Sequence, residues 1–383
     1  DVLSHGANDL ILPTLSRHGG DEFLILLPYI AEPEDAGLVA ARIIQLLSRP
    51  IQVATHELYT SLSIGISVFP EDGMDDQLLI QNADTALYCA KAAGKNQFAF
   101  FEQQMSNSAF RRIDVENNLR HALDNDEFKL FYQPQINLTT GKLIGMETLI
   151  RWIHPSWGIV SPVEFIPVAE STGMIVAIGE WVIREACRQW KEWESQGFEP
   201  AKISINLSAI QFKDEGLNAL IENIIQETGM PVDSLVFEIT ESALMLDAES
   251  TLTQLHMLKK IGVRLSVDDF GTGYSSLKYL KSFPLDFLKI DRTFVQDLET
   301  SQSDQEIVGT IIHMARNLKL SLIAEGVETP GQLKILQQGG CDAMQGFLLS
   351  RPVEAHKYEQ NFLCAEKENN QDLLYCKEII NGS

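Results

Sequence analysis

The stretch Arg264-Leu265-Ser266-Val267-Asp268-Asp269 is a short apolar run that ends in two acids. The same pattern, an apolar run closed by a polar or charged side chain, recurs at residues 143–147, 203–206, 235–238, 287–289, 322–325 and 342–345. A segment with helical periodicity follows each run. Because a strand–helix repeat of this kind closes into a parallel barrel, we predict an α/β fold with a TIM-like (β/α)8 barrel.

The polar ends of these runs are expected to lie together, because the carboxyl ends of barrel strands converge on one mouth. They are Glu147, Asn206, Glu238, Asp268, Asp269, Lys289, Glu325 and Gln345. Oxygen donors around one ammonium predict a site for hard divalent cations and a phosphate ester. The alternative for any single position is a helix N-cap or a solvated loop residue. Helix capping alone is a poor explanation for a polar residue at the end of so many successive strands. Two of these ends, Asp268-Asp269 and residues 325–328, contain more acidic side chains than a single helix cap needs.

Several motifs in this region resemble, in order, those of the EAL family of cyclic di-GMP phosphodiesterases. They are Glu147-Thr148-Leu149-Ile150-Arg151-Trp152, residues 162–170, Asn206-Leu207-Ser208, Glu238-Ile239-Thr240-Glu241-Ser242, residues 268–277, Lys289-Ile290-Asp291, residues 325–329 and Gln345-Gly346. The resemblance covers about residues 111–357. Thr148 stands where the family has alanine. By strand alternation Thr148 points away from the mouth if Glu147 points into it, so we expect a packing change rather than lost chemistry.

The resemblance implies hydrolysis of one phosphodiester bond of cyclic di-GMP to linear pGpG with two Mg²⁺ or Mn²⁺ ions. The implied metal ligands are Glu147, Asn206, Glu238, Asp268 and Asp269. The implied catalytic residues are Glu147, Lys289 beside the water and phosphate, Glu325 to orient or deprotonate the nucleophile, and Gln345 near the water. A non-catalytic cyclic di-GMP receptor is the alternative, and a diguanylate cyclase is a third reading that rests on the amino-terminal region.

Other residues are assigned to the substrate or to the loop at 270–276. The substrate set is Gln133 at the end of the first strand, Arg151 on the strand face of Glu147, and Asp291, which contacts substrate or supports Lys289. Glu241 is expected to brace the loop, as a second glutamate does in the family, and Glu328 is grouped with it. For Glu241 the alternative is an N-cap of the helix that follows. For Lys289 the alternative is a surface lysine, although Leu288 and Ile290 beside it indicate a buried strand.

Residues 1–103 resemble a second family, the GGDEF domain that condenses GTP into cyclic di-GMP. The motifs are Arg17-His18-Gly19-Gly20-Asp21-Glu22-Phe23, residues 63–66, residues 83–91 and Gly94-Lys95-Asn96. The Gly-Gly pair between apolar runs predicts a hairpin, and a charged hairpin tip is the plain alternative for Asp21-Glu22. The family's first strand with its metal-binding aspartate is missing, so either the sequence skips residues or the domain is degraded. We expect no GTP condensation, and a regulatory role in which Asp21, Glu22, Lys91 and Lys95 hold metal-bound GTP.

Length and composition fit two domains in one chain. The 383 residues exceed what one core organises, and we expect a linker at 104–112, a barrel at 113–357 and a tail at 358–383. The net charge of −23 argues against duplex nucleic acid as a partner, because phosphate neutralisation needs clustered cations. Five scattered cysteines favour a reducing cytoplasm, and the family resemblance implies a bacterial one. No segment is apolar enough to cross a membrane, although upstream sequence leaves membrane attachment of a longer protein open. The EAL resemblance further implies a homodimer.

Overall fold

The computed structural model describes residues 12–364 except 54–55, 59, 93, 246 and 272–276. The chain divides into two compact units, Asp1–Asp114 and Val115–Ser383. The expected linker at 104–112 lies within a helix, Gln103–Ala122, that runs through the division between the units. The polar composition of the segment breaks the apolar pattern without breaking the helix, because the Gln, Met, Ala and Arg residues in it are good helix formers.

The amino-terminal unit is a small α/β arrangement. Its elements are β1 (Thr14–Gly19), β2 (Glu22–Leu26), α1 (Pro33–Leu47), β3 (Ile51–Val53), β4 (His56–Leu58), β5 (Ile64–Ile66), α2 (Asp76–Ala92) and β6 (Phe98–Phe100), followed by α3 (Gln103–Ala122). The predicted hairpin is confirmed, since β1 and β2 pair antiparallel and Gly20 adopts a positive φ of 52° between them. Strands β5 and β6 pair in parallel beneath α2. Gly65 permits that packing, because a Cβ there would lie 1.9 Å from the carbonyl oxygen of Ala83.

The second unit begins with two long strands and then alternates strands and helices. Its strands are β7 (Phe128–Asn137), β8 (Leu143–His154), β9 (Gly158–Val160), β10 (Lys202–Leu207), β11 (Leu235–Thr240), β12 (Arg264–Phe270), β13 (Phe287–Ile290), β14 (Ser321–Ala324), β15 (Ala343–Met344) and β16 (Val353–Glu354). Its helices are α4 (Pro162–Thr172), α5 (Ile175–Ser195), α6 (Ala209–Phe212), α7 (Leu217–Thr228), α8 (Glu241–Met245), α9 (Ala248–Ile261), α10 (Leu277–Ser282), α11 (Arg292–Val295), α12 (Gln302–Leu318), α13 (Pro330–Gly339) and α14 (Ala355–Tyr358). A 3₁₀ turn spans Val232–Ser234, and a π-helical turn spans Glu359–Leu363.

Eight strands close a barrel in the order β7, β8, β10, β11, β12, β13, β14 and β15, and β15 returns to β7. The predicted barrel is therefore confirmed, but the expectation that all its strands are parallel is wrong. Strand β7 runs antiparallel to both of its neighbours, β8 and β15. The physical reason is the short turn between Asn137 and Leu143, because a tight hairpin joins only antiparallel strands and a parallel pair needs a long crossover.

The barrel core lies between the outer face of the sheet and the surrounding helices. Helix α5 contributes a buried apolar stripe that includes Cys187, which the sequence pattern also places in the core. Buried packing continues beyond residue 357. The ring of Tyr358 lies 6.0 Å from that of Tyr132 and 5.5 Å from that of Trp193, and Leu363 is buried as well. Residues 365–383 of the expected tail lie outside the described residues. No helix in the described part of the chain is both long and apolar enough to span a membrane.

Candidate active site

The inner face of the barrel gathers the polar residues that the sequence places at strand ends. Parallel pairing sets Asn206 of β10 beside Glu238 of β11, and Thr240 beside Asp268 of β12. Since side chains alternate between the two faces of a strand, residues two apart on one strand share the inner face. Glu147 lies in the middle of the long strand β8 and is level with Gln133 of β7. The expectation that Glu147 ends a strand is wrong, because β8 continues to His154. Gln133 is therefore a mid-strand residue, and the expectation that it ends the first strand is wrong, because β7 continues to Asn137.

Lys289 is the centre of this cluster. Its side chain is 0% exposed, which excludes the alternative of a surface lysine. The Nζ atom lies 2.5 Å from Glu238 Oε2, 3.3 Å from Asp268 Oδ1 and 3.4 Å from Glu147 Oε2, and it also bonds Glu325 Oε1. Burial alone lowers the pKa of an ammonium, but the four carboxylates outweigh it and hold the pKa of Lys289 well above its usual value.

The cluster holds more negative charge than one ammonium balances. With Asp269, five carboxylates share the charge of Lys289, so the pKa of several acids is raised. Burial and the neighbouring carboxylates raise the pKa of Glu238 to about 8, that of Asp269 to about 6, and that of Glu325 well above its usual value. Burial also opposes the charge of Glu147. Its contacts with Lys289, Gln345 and Asn206 outweigh burial and lower its pKa.

The donor set fits divalent cations. One carboxylate oxygen each from Asp268, Asp269 and Glu325 lies within 4.8 Å of the others. Glu238 adds a second indication, because its Oε1 is buried without a hydrogen-bond partner in the described part of the chain. A buried carboxylate oxygen without a partner is costly unless a cation binds it. Carboxylate and amide oxygens are the ligands that Mg²⁺ and Mn²⁺ take.

Backbone geometry turns the two adjacent aspartates into the mouth together. Asp269 adopts a left-handed φ of 53°, and the pairing of β12 with β13 shifts register between Val267 and Phe270. Two successive residues of a regular strand point to opposite faces. The irregularity at the end of β12 removes that restriction, so Asp269 joins Asp268 beside Glu325.

Three glutamines lie beside or beneath Glu147 and form a connected network. Gln345 Nε2 donates to Glu147 Oε2 at 2.5 Å and to Gln133 Oε1 at 2.8 Å. Gln135 Nε2 donates to Gln345 Oε1 at 2.8 Å. On the other side of Glu147, Asn206 Nδ2 donates to Oε1 at 2.7 Å. Sequence reasoning missed Gln135. The available signal was its even spacing from Gln133, which places both on one face of a strand.

Comparison with known proteins agrees with this geometry. The sequence matches the family model described as EAL domain over residues 116–352. The chain belongs to the EAL domain family. A second model, described as Diguanylate cyclase, GGDEF domain, matches residues 11–97.

Two curated relatives are similar over most of this chain. The Bifunctional diguanylate cyclase/cyclic di-GMP phosphodiesterase MucR of Pseudomonas aeruginosa is 43% identical over 371 residues, which are 93% of this chain and 54% of that protein. The Cyclic di-GMP phosphodiesterase PdeR of Escherichia coli is 37% identical over 346 residues, 90% of this chain and 52% of that protein. The chain thus spans about half the length of the curated relatives it matches. A solved structure described as PaMucR Phosphodiesterase, c-di-GMP complex, is 45% identical with a TM-score of 0.62, and the match covers 64% of this chain and 99% of that one.

Within the EAL barrel, Glu241 and Glu328 occupy different settings. Glu241 is buried at the start of α8, and its Oε2 accepts a hydrogen bond from the backbone N–H of Gly271 at 2.8 Å. That contact is with the first part of the loop it is expected to brace, whose residues 272–276 lie outside the described residues. Glu328 is exposed, and its backbone N–H donates to the side chain of Gln332.

The expected substrate residues of the EAL barrel are engaged with the protein itself. Gln133 Nε2 donates to the Ser350 carbonyl at 2.9 Å. The Arg151 guanidinium lies 5.5 Å from the Phe131 ring centre, and burial lowers its pKa while the charge of Glu147 opposes that shift. Asp291 caps α11 through the backbone N–H of Thr293 at 2.9 Å. These contacts position the three side chains, and their contact with substrate remains a prediction.

Thr148, the departure from the EAL signature, is buried on the outer side of β8. Its hydroxyl donates to the carbonyl oxygen of Ser204 at 2.6 Å. The hydroxyl therefore has a partner on the adjacent strand and adds no unsatisfied polar group to the core.

In the GGDEF region, the four residues assigned to GTP are all exposed: Asp21, Glu22, Lys91 and Lys95. The hairpin that carries Asp21 and Glu22 is exposed along both strands, and β1 and β2 pair with no further strand among the described residues. Residues 1–11 lie outside the described residues. The role of the four residues remains a prediction.

Proposed function

We propose that the EAL barrel hydrolyses one phosphodiester bond of cyclic di-GMP to linear pGpG, using two Mg²⁺ or Mn²⁺ ions. The observation that carries the proposal is the cluster of five carboxylates around buried Lys289, with Glu238 Oε1 buried and unpartnered among the described residues. In their ionised forms, which a bound cation favours, the five carboxylates and one ammonium carry four net negative charges, and two divalent ions would neutralise them. The names of the similar MucR and PdeR proteins support the choice of substrate.

Glu147, Asn206, Glu238, Asp268 and Asp269 would hold the ions. When bound, divalent cations polarise the phosphate and lower the pKa of a coordinated water. Asp268 would be a central ligand, because it lies beside Lys289 on one side and in the acidic triplet with Asp269 on the other.

The remaining chemistry is assigned to side chains of the chain itself. Glu325 takes the proton of the attacking water, a role that suits a carboxylate whose pKa its surroundings raise. The water oxygen bonds to phosphorus, the bond from phosphorus to the 3′ oxygen breaks, and the 3′ oxygen takes up a proton from solvent. Lys289 stabilises the charge that develops on the phosphate. Gln345 holds Glu147 in place, and Gln133, Arg151 and Asp291 orient the rest of the dinucleotide.

Incubation of the purified chain with cyclic di-GMP and Mg²⁺, followed by nucleotide chromatography, tests the proposal. We expect pGpG to accumulate, to stop with EDTA, and to return with Mg²⁺ or Mn²⁺. Calcium is expected to inhibit, because its larger and more flexible coordination sphere does not suit the same ligands. Binding of cyclic di-GMP without product at saturating Mg²⁺ would overturn the enzyme in favour of a receptor.

We also propose a role for the GGDEF region, an oligomeric state and a cellular location. The GGDEF region is proposed to bind GTP through Asp21, Glu22, Lys91 and Lys95 and to regulate the barrel without making cyclic di-GMP. A homodimer through the EAL domain and a cytoplasmic location are proposed as well. The location is supported by Cys89, Cys187, Cys341 and Cys364, which are all free thiols.

A further inference from the structure

We infer that Gln135 is a positioning residue that sets the direction of the Gln345 amide and thereby fixes Glu147 at the metal site. The inference rests on the proposed function for its effect on catalysis. Its structural basis is the network of buried amides beneath the site, in which every bond has a defined donor and acceptor.

The direction of the Gln345 amide follows from its neighbours. A glutamine side chain has one oxygen that accepts and one NH₂ group that donates. Gln135 presents Nε2, a donor, to Gln345 at 2.8 Å, so Gln345 must turn its oxygen toward Gln135. Its own NH₂ group then faces Glu147 Oε2 at 2.5 Å and Gln133 Oε1 at 2.8 Å. The reversed amide would set an oxygen against the Glu147 carboxylate and lose all three bonds.

Glu147 is held between two amides as a result. Gln345 binds its Oε2 and Asn206 binds its Oε1 at 2.7 Å. Because each carboxylate oxygen has its own amide donor, the Glu147 carboxylate is held in one orientation. Removing a residue that does not bind the metal but hydrogen-bonds to one of its ligands typically lowers metal affinity or activity by about 10–100-fold.

Gly145 provides the space that the Gln135 amide occupies. The two residues face each other across β7 and β8, and a Cβ on Gly145 would lie 2.5 Å from Gln135 Oε1. Gln135 is buried, as are Gln133 and Gln345. A buried amide left without hydrogen-bond partners is destabilising, so a glutamine at this depth requires the network it completes.

Manganese binding to the whole chain provides a test that does not depend on catalysis. Gln135→Met keeps a similar volume and removes the donor to Gln345. We expect Mn²⁺ affinity, followed by the electron paramagnetic resonance signal of free Mn²⁺, to fall by about 10-fold. Gln345→Met is expected to have at least the same effect. The double variant should be no worse than Gln345→Met, because Gln135 acts only through Gln345. The matched control is Gln189→Met, a buried glutamine on α5, which should leave Mn²⁺ affinity unchanged.

Activity adds a second measurement. If the chain is a phosphodiesterase, Gln135→Met should lower kcat and raise the Mg²⁺ requirement while KM for cyclic di-GMP stays the same. Wild-type Mn²⁺ affinity in Gln135→Met, or additive losses in the double variant, would overturn the inference. If Gln135→Met does not fold, Gly145→Ala provides a second variant, because the added Cβ crowds the Gln135 amide. We expect Gly145→Ala to weaken Mn²⁺ binding as well, and wild-type Mn²⁺ affinity in this variant would also overturn the inference. A wild-type chain that binds Mn²⁺ but releases no pGpG refutes the proposed function and leaves the Mn²⁺ comparison intact.

Discussion

Replacing Lys289 by methionine should make the stability of the barrel unusually dependent on Mg²⁺. The ammonium is fully buried and lies within 3.4 Å of three carboxylate oxygens, with a bond to a fourth acid, Glu325. At an effective dielectric constant of about 20, a contact of that length is worth roughly 5 kcal/mol before the cost of burying the ammonium is subtracted. Breaking a buried ion pair by removing one partner costs about 3–5 kcal/mol in measured cases. We expect a loss in that range for the metal-free Lys289→Met variant.

Divalent cations should restore part of this loss. A ligand that binds only the folded state adds about 2.7 kcal/mol at a concentration 100 times its dissociation constant. Without the ammonium, no fixed positive charge repels an incoming cation and the carboxylates repel one another more, so the gain from Mg²⁺ should be larger in Lys289→Met than in the wild type. The measurement is urea unfolding in EDTA and in Mg²⁺, followed by tryptophan fluorescence. All five tryptophans lie between residues 152 and 193, so the signal reports the barrel alone.

Lys259→Met is the matched control. Its ammonium bonds Asp286 at 2.7 Å and the Val263 carbonyl at 3.2 Å, before the amino end of β13 and away from the mouth. This variant should lose stability without any change in its response to Mg²⁺. An equal Mg²⁺ response in wild type, Lys259→Met and Lys289→Met would refute the view that the lysine and the cations neutralise the same carboxylates.

Three further outcomes are expected. Asp268→Ala should lower the rate of pGpG formation by at least about 100-fold. Thr148→Ala loses one hydrogen bond outside the mouth, so its rate should stay within a few-fold of the wild type and its stability should fall by about 1 kcal/mol. Equal losses of activity in the two variants would contradict the metal assignment. Glu241→Ala should weaken Mg²⁺ binding and activity sharply while the fold survives, because it removes the acceptor of the Gly271 N–H. A variant that melts early but keeps normal turnover would instead identify Glu241 as a helix cap. GTP titration should yield no cyclic di-GMP but alter hydrolysis or thermal stability, and a chain indifferent to GTP would have a GGDEF region that serves only as a scaffold.

Much of the fold was predictable because the strand signal is local. Each apolar run that ends in a polar residue became a barrel strand, and each polar end came to the inner face. The orientation of the first strand was not predictable from those runs, since strand direction depends on the length of a turn between two strands. Residues 138–142 are too short for a crossover, and weighing that length would have indicated the antiparallel pair.

The site shows a similar division. The acids and Lys289 were found because charge at the end of a buried strand is costly and therefore conspicuous. Gln135 was not found, because a neutral amide in an apolar run gives no such signal until its partner is known. That partner, Gln345, lies 210 residues away in sequence. Contacts of that range depend on barrel closure, which composition and periodicity do not specify in detail.

The antiparallel first strand has a consequence for the chemistry. A parallel strand brings mainly its last residues to the mouth of a barrel, as β11 and β14 do here with Glu238 and Glu325. The hairpin of β7 and β8 instead runs through the level of the site, so Gln133 faces Glu147 and Gln135 lies one inner layer deeper, opposite Gly145. Two amides of one strand thus meet Gln345 from different depths. This support from below needs a strand with amides at two successive inner positions, and β7 provides it because Gln133 and Gln135 stand two residues apart on its inner face.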